Sequence, residues 1–368
     1  MSWRALSCLL SGALLAACSA APPVAATQIP AAAPAPAETN LPAEGIYVLP
    51  EAAGWNAAAL DDFIAYIAAQ NSTGLVILDH DRIIVEQYWP APEGDATFPL
   101  FVHGTSSDGA LLEDVASMQK SIIALLAGIA IDKGQLDIAR PVADYIGQGW
   151  TKADPEAEAA ITVRHLLEMN SGLTAKLEFE APAGTKFYYN TPAYAKLQAV
   201  LEAAAGAPVD TLTRNWLTGP LGLKDSAWRP RPAVFGNVGN PMAFVSTPRD
   251  LSRIGQMVLD GGLAPDRTRV IPEAQLNDMF APTDTNPAYG RLWWLNGGAW
   301  NIAADSVRRE GAFIPAAPDD LIAGLGALNR QVFIVHSRGL VVVRTGAAPP
   351  DTDFIQQVWA RLSPALPE

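Results

Sequence analysis

Apolar positions recur at helical spacing from Trp55 to Gln70, with Leu60, Phe63, Ile64 and Ile67 falling on one face of a predicted amphipathic helix. Two β-rich runs follow, Leu75–Leu78 and Ile83–Tyr88, around the turn Asp79-His80-Asp81, which predicts a hairpin. From Ser117 to Lys133 the pattern is again helical. Here Ile122, Ile123, Leu125, Leu126, Ile129 and Ile131 leave almost no polar face, so this helix belongs in the middle of the fold. Gly134 ends it and Pro141 bars an immediate restart. Between 140 and 275 helical segments dominate and strand signals are few. Near the end, Gln331–Val335 and Leu340–Arg344 are β-rich runs around the turn Ser337-Arg338-Gly339, a second hairpin signal, and Phe354–Leu362 reads as a closing helix. Strands at both ends with helices between them predict an α/β (α+β) fold. It comprises an antiparallel sheet flanked by helices, drawn from about 46–135 and 280–368, and a mostly helical insertion over about 136–279.

The N-terminal pattern is different. Arg4 precedes an apolar stretch, Ala5–Leu15, too short to span a bilayer. It runs into Leu15-Ala16-Ala17-Cys18, which resembles a bacterial lipoprotein signal. The resemblance implies a signal peptide over 1–17, lipidation of Cys18 and an envelope location, with Ser19 suiting an outer-membrane protein facing the periplasm. Residues 19–45 hold ten Ala and six Pro, a composition that buries no core and suits an extended tether. The globular domain is expected over 46–368.

Composition narrows the chemistry. At 49% hydrophobic and 17% charged residues, the chain has material for a sizeable core. Its formal charge of −13 argues against a nucleic-acid partner, since phosphate binding needs clustered cations. The only cysteines are Cys8 and Cys18, and no Cys/His cluster has ligand spacing, so no structural zinc site is expected.

At the start of the buried helix, Ser117-Met118-Gln119-Lys120 places a serine and a lysine three residues apart on one face. A serine hydroxyl needs a base to become a nucleophile. A lysine serves only if burial or a neighbouring cation lowers its pKa, and Lys120 begins an otherwise apolar helix, where burial is expected. A second element is Phe187-Tyr188-Tyr189-Asn190. A tyrosine hydroxyl near a cation can exchange protons, and an asparagine amide can bond both lysine and substrate.

With these motifs the chain resembles the serine hydrolases related to class C β-lactamases, a group that includes DD-peptidases, esterases and aminohexanoate-oligomer hydrolases. The resemblance spans about 55–362. It rests on the order of Ser117–Lys120, Gln135–Tyr145, Ile161–Leu173, Tyr188–Asn190, Pro220–Leu223 and Val332–Val335. It implies attack by Ser117 on an ester or amide carbonyl and an acyl-enzyme, with neither metal nor cofactor needed. Lys120 and Tyr188 share the general base and acid work, in an order left open, and Asn190 orients Lys120. The oxyanion hole would use backbone N–H groups of Ser117 and the strand near Ala327. Ser171-Gly172-Leu173 is expected to be a structural loop.

One motif departs from the group. Where relatives carry Lys-Thr-Gly or His-x-Gly, this chain has Leu321–Gln331, with Gly326 and Ala327 as the expected substrate-facing residues. That weakens a substrate carboxylate, and with it the β-lactamase and DD-peptidase readings. Arg330 and His336 are the replacement cations to consider. The small-residue strand and Tyr289–Trp294 are closer to the aminohexanoate-hydrolase branch, with Trp293 and Trp294 as pocket wall or core. An esterase or amidase acting on a small-molecule ester, amide or peptide-like substrate is therefore expected first. A DD-peptidase, a β-lactamase and a non-catalytic penicillin-recognising envelope protein are the alternatives.

Overall fold

A computed structural model describes residues 46–367. The expected signal segment, Cys18 and the expected Ala/Pro-rich tether lie outside the described residues. The described chain opens with a two-residue strand, β1 (Ile46–Tyr47), then α1 (Ala57–Ala69) and the hairpin β2 (Ser72–Asp79) and β3 (Arg82–Tyr88). Strands β4 (Val102–Thr105) and β5 (Leu111–Asp114) lead into the tight turn Ala116–Met118 and then α2 (Gln119–Asp132). Short helices follow, before β6 (Ala227–Pro230), β7 (Met242–Ser246) and the helix Pro248–Leu259. The last third holds β8 (Trp294–Leu295), the small hairpin β9 (Trp300–Ile302) and β10 (Arg308–Glu310), then β11 (Leu321–Gly326), β12 (Arg330–Val335), β13 (Leu340–Gly346) and the closing helix Phe354–Leu362.

The main sheet has the order β1-β3-β2-β13-β12-β11-β8, antiparallel except for the β1–β3 pair. Both expected hairpins form. His80 and Asp81 adopt positive φ, as a two-residue hairpin turn requires. α1 buries Leu60, Phe63 and Ile67 and packs with the closing helix. The helix Pro248–Leu259 lies on β2, β12 and β13. Gly255 permits that approach, since a Cβ there would stand 2.6 Å from Val341 Cγ1. α2 is buried from Gln119 to Ala130, in keeping with its apolar pattern.

The helical part is shorter than the pattern indicates. Within 136–279, β6 and β7 pair with each other, and β7 pairs with β5, completing a four-stranded sheet of order β4-β5-β7-β6. The helix Pro248–Leu259 then rejoins the main sheet. These strands are only four or five residues long, too short for alternation to announce them. Among the described residues, no helix is long and apolar enough to cross a membrane.

Candidate active site

Asp114 closes β5, and its Oδ1 accepts the Ala116 N–H at 2.8 Å. Ala116 takes φ 53°, a left-handed conformation that costs a non-glycine residue about 1 kcal/mol or more. The Asp114 contact offsets part of that cost, and the turn lifts Ser117 to the surface of a cavity just ahead of α2. Lys120, one turn on, is 2% exposed, and its Nζ lies 3.1 Å from Ser117 Oγ. The amine stands over the rings of Tyr189 (4.7 Å) and Tyr194 (4.8 Å). Burial, and secondarily the Arg231 charge, push its pKa down to about 7. Burial dominates because two aromatic faces return only a fraction of the hydration an ammonium loses.

The tyrosine at the serine is Tyr189, one residue later than expected. Its hydroxyl lies beside Ser117, and burial pushes its pKa up to about 12. Tyr188, a half-buried residue, instead donates its backbone N–H to Met169 O at 2.8 Å. In the extended segment leading to Asn190, successive side chains point to opposite sides, so only one of two adjacent tyrosines reaches Ser117.

Asn190 also differs from expectation. Its Nδ2 donates to Leu173 O (2.8 Å) and Thr174 O (3.0 Å), and its Oδ1 accepts from Ala193 N (3.1 Å) as the cap of the next short helix. Both ends of the amide are committed to backbone, so it does not orient Lys120. It ties the Ser171-Gly172-Leu173 loop to the tyrosine segment.

Gly326 and Ala327 reach the site in different ways. A Cβ on Gly326 would stand 2.3 Å from Val115 O, so only glycine lets the end of β11 lie against the residues before Ser117. Ala327 lines the same cavity as Ser117. Arg330 does not. It is fully buried, donates from Nε to Glu113 Oε2 at 2.9 Å, and donates from Nη1 to Ala327 O at 3.2 Å. Its charge therefore locks β5 to the Ala327 segment. His336 sits in the turn between β12 and β13 and borders a separate cavity of about 970 Å³, lined also by Glu273 and Asp320, which does not include Ser117. Neither cation replaces the missing lysine of the third motif. Trp293 and Trp294 are core rather than cavity wall. Trp293 packs edge-on against Phe280 (5.6 Å), and Trp294 stacks on Phe313 (4.7 Å) and on the Tyr189 ring (5.6 Å), bracing it.

Sequence reasoning missed Arg231, which borders the Ser117 cavity. Its Nε donates to Asp114 Oδ2 (2.7 Å), and its Nη2 donates to Asp114 Oδ1 (2.9 Å) and Gln119 Oε1 (2.8 Å). Nη1 donates to Asn240 O at 3.0 Å and, in the amide orientation that satisfies both groups, to Asn240 Oδ1 at 3.2 Å. The loop between β6 and β7 delivers both Arg231 and Asn240, and no local spacing signals that return.

The Beta-lactamase family model matches residues 60–346. A penicillin-binding protein 4 from Amycolatopsis lactamdurans is 28% identical over 204 residues, 43% of this chain and 53% of that protein. A 6-aminohexanoate-dimer hydrolase from Paenarthrobacter ureafaciens is 22% identical over 265 residues, 57% of this chain and 65% of that protein. The chain thus spans less than two thirds of either relative. In three dimensions, a penicillin-binding protein homologue from Caulobacter crescentus aligns with a TM-score of 0.60 at 16% identity, covering 84% of this chain and 97% of that one. With the motifs in family order and the family model matched along most of its length, the chain belongs to the Beta-lactamase family.

Proposed function

We propose that the protein is a serine hydrolase that cleaves an ester or amide through an acyl-enzyme on Ser117. The observation that carries this reading is the contact of Ser117 with Lys120 Nζ (3.1 Å) and with the Tyr189 hydroxyl. Lys120, about half unprotonated at pH 7, takes the Ser117 proton in its neutral form as Oγ bonds to the substrate carbonyl carbon. Tyr189 holds its own proton at that pH, so it acts as donor and relay rather than as the first base. The tetrahedral oxyanion lies between the N–H groups of Ser117 and Ala327, residues that border one cavity. As the intermediate collapses, the C–O or C–N bond to the leaving group breaks, and the Lys120 proton passes through Tyr189 to that group. Water then attacks the acyl-enzyme carbonyl, giving a proton to Lys120, and Ser117 recovers its own as the acid departs.

The test is intact mass after fluorophosphonate treatment of the chain from residue 46 onward, beside its Ser117→Ala variant. One adduct, lost in the variant, is the expected result. A folded wild type that takes no adduct refutes the reading. We further place the protein on the envelope by lipidation at Cys18, a reading supported by the signal-like segment. Labelled palmitate should enter the wild type and not Cys18→Ala.

A further inference from the structure

We propose that the Ser117 cavity accepts the acyl side of its substrate and selects an uncharged, apolar group of up to about six carbons, seated against Phe101, Phe235 and Val238. This inference rests on the serine hydrolase reading above. Orientation follows from the proton donor. We place the leaving group on the side of Tyr189, which protonates it and does not line this cavity, and the acyl substituent in the cavity.

Charge comes next. Two cations border the cavity, Lys120 and Arg231. All five N–H bonds of the Arg231 guanidinium are committed, to Asp114, Gln119 and Asn240. Lys120 already donates to Ser117 Oγ, and the Thr191 hydroxyl is the other donor at the cavity. A carboxylate on the acyl group would exchange its water for these alone and, beside Lys120, would favour the protonated amine and remove the base, which lowers reactivity by about tenfold or more.

The wall is apolar. Phe101 is buried, held from beneath by the Arg330 guanidinium at 4.6 Å, and its ring meets Phe235 at 5.0 Å. Phe235 belongs to the short turn Ala233–Val238, which leaves Val238, also at the cavity, 41% exposed. Apolar side chains left in water beside a nucleophile are what an apolar acyl group would cover. The cavity measures about 140 Å³. An apolar cavity of about 150 Å³ accommodates a benzene ring, which sets the size near six carbons.

The test is kcat/KM for 4-nitrophenyl esters from acetate to decanoate, with the adipate half-ester as the charged match to hexanoate and Ser117→Ala as the blank. Full burial predicts a rise of about fourfold per methylene up to hexanoate and a plateau beyond it. The adipate half-ester should fall about tenfold or more below hexanoate. Phe235→Ala and, at an exposed position that spares the fold, Val238→Ser should each reduce the hexanoate-to-acetate ratio severalfold. Equal turnover of acetate and hexanoate, or of hexanoate and the adipate half-ester, by a protein that takes the fluorophosphonate adduct would overturn this proposal and leave the serine reading standing. A folded protein that takes no adduct overturns both.

Discussion

Replacing Lys120 by Met should stabilise the protein, and should do so only below about pH 10. The lysine amine is 2% exposed, and its pKa falls from an ordinary 10.5 to about 7, with burial the first cause. Between these two values the unfolded chain holds one more proton than the native one, so wild-type stability rises with pH by about 1.4 kcal/mol per pH unit. Below pH 7 both states are protonated, and the native protein carries the whole cost of a buried ammonium, about 5 kcal/mol from the gap between the two values. At pH 7 about 4 kcal/mol remains, and above pH 10.5 nothing does. Methionine is similar in length, carries no charge and forfeits one contact to Ser117, worth about 1 kcal/mol. The variant should therefore exceed wild type by about 3 kcal/mol at pH 7 and match it or fall slightly below near pH 10.5. Urea unfolding of both proteins at pH 7, 8.5 and 10 measures the difference directly, since every other titrating group is shared. A stability difference that stays constant over this range would refute the assignment of a depressed lysine, and with it the account of how Ser117 is activated.

Three further outcomes follow from the same geometry. Because the proposed mechanism needs the unprotonated amine, kcat/KM should fall about tenfold per pH unit below pH 7, with no matching loss on the alkaline side up to pH 9, a profile read from initial rates. Tyr189→Phe should lower kcat by about a hundredfold or more while Tyr188→Phe stays within a few fold, so the reverse ranking in steady-state assays would restore the tyrosine expected from sequence. Arg231→Met leaves the buried Asp114 without its cation and should cost about 3–5 kcal/mol in urea unfolding, much of it recovered in the Asp114→Asn double variant. Removing that cation also favours protonated Lys120, so the midpoint of the pH–rate profile should move upward in any folded Arg231 variant.

The features legible in the chain were those set by neighbours. α2, both hairpins and the closing helix follow from periodicity, because burial of a helix face or a strand pair imposes a repeat on contiguous residues. The Ser117 and Lys120 pair is legible for the same reason, since one turn of chain fixes their separation. Tyr189 lay one position from the reading because two adjacent tyrosines carry the same chemistry, and only the direction of the backbone separates them. Asn190 carries the right chemistry for a catalytic amide, yet the carbonyls of Leu173 and Thr174 claim it, and those arrive from a loop whose course is a tertiary matter.

By itself, then, the sequence determined the proposed nucleophile, the proposed base beside it and the helix that buries that lysine, because all three lie within one short stretch of local structure. Tertiary structure decided which tyrosine meets Ser117, that Arg330 is spent on Glu113, and that Arg231 and Asn240 border the cavity. These are contacts between segments distant in the chain, such as Arg231 and Asp114. Their pairing is chosen by the packing of β5 against β7 and by the desolvation of buried charges, neither of which leaves a spacing to read.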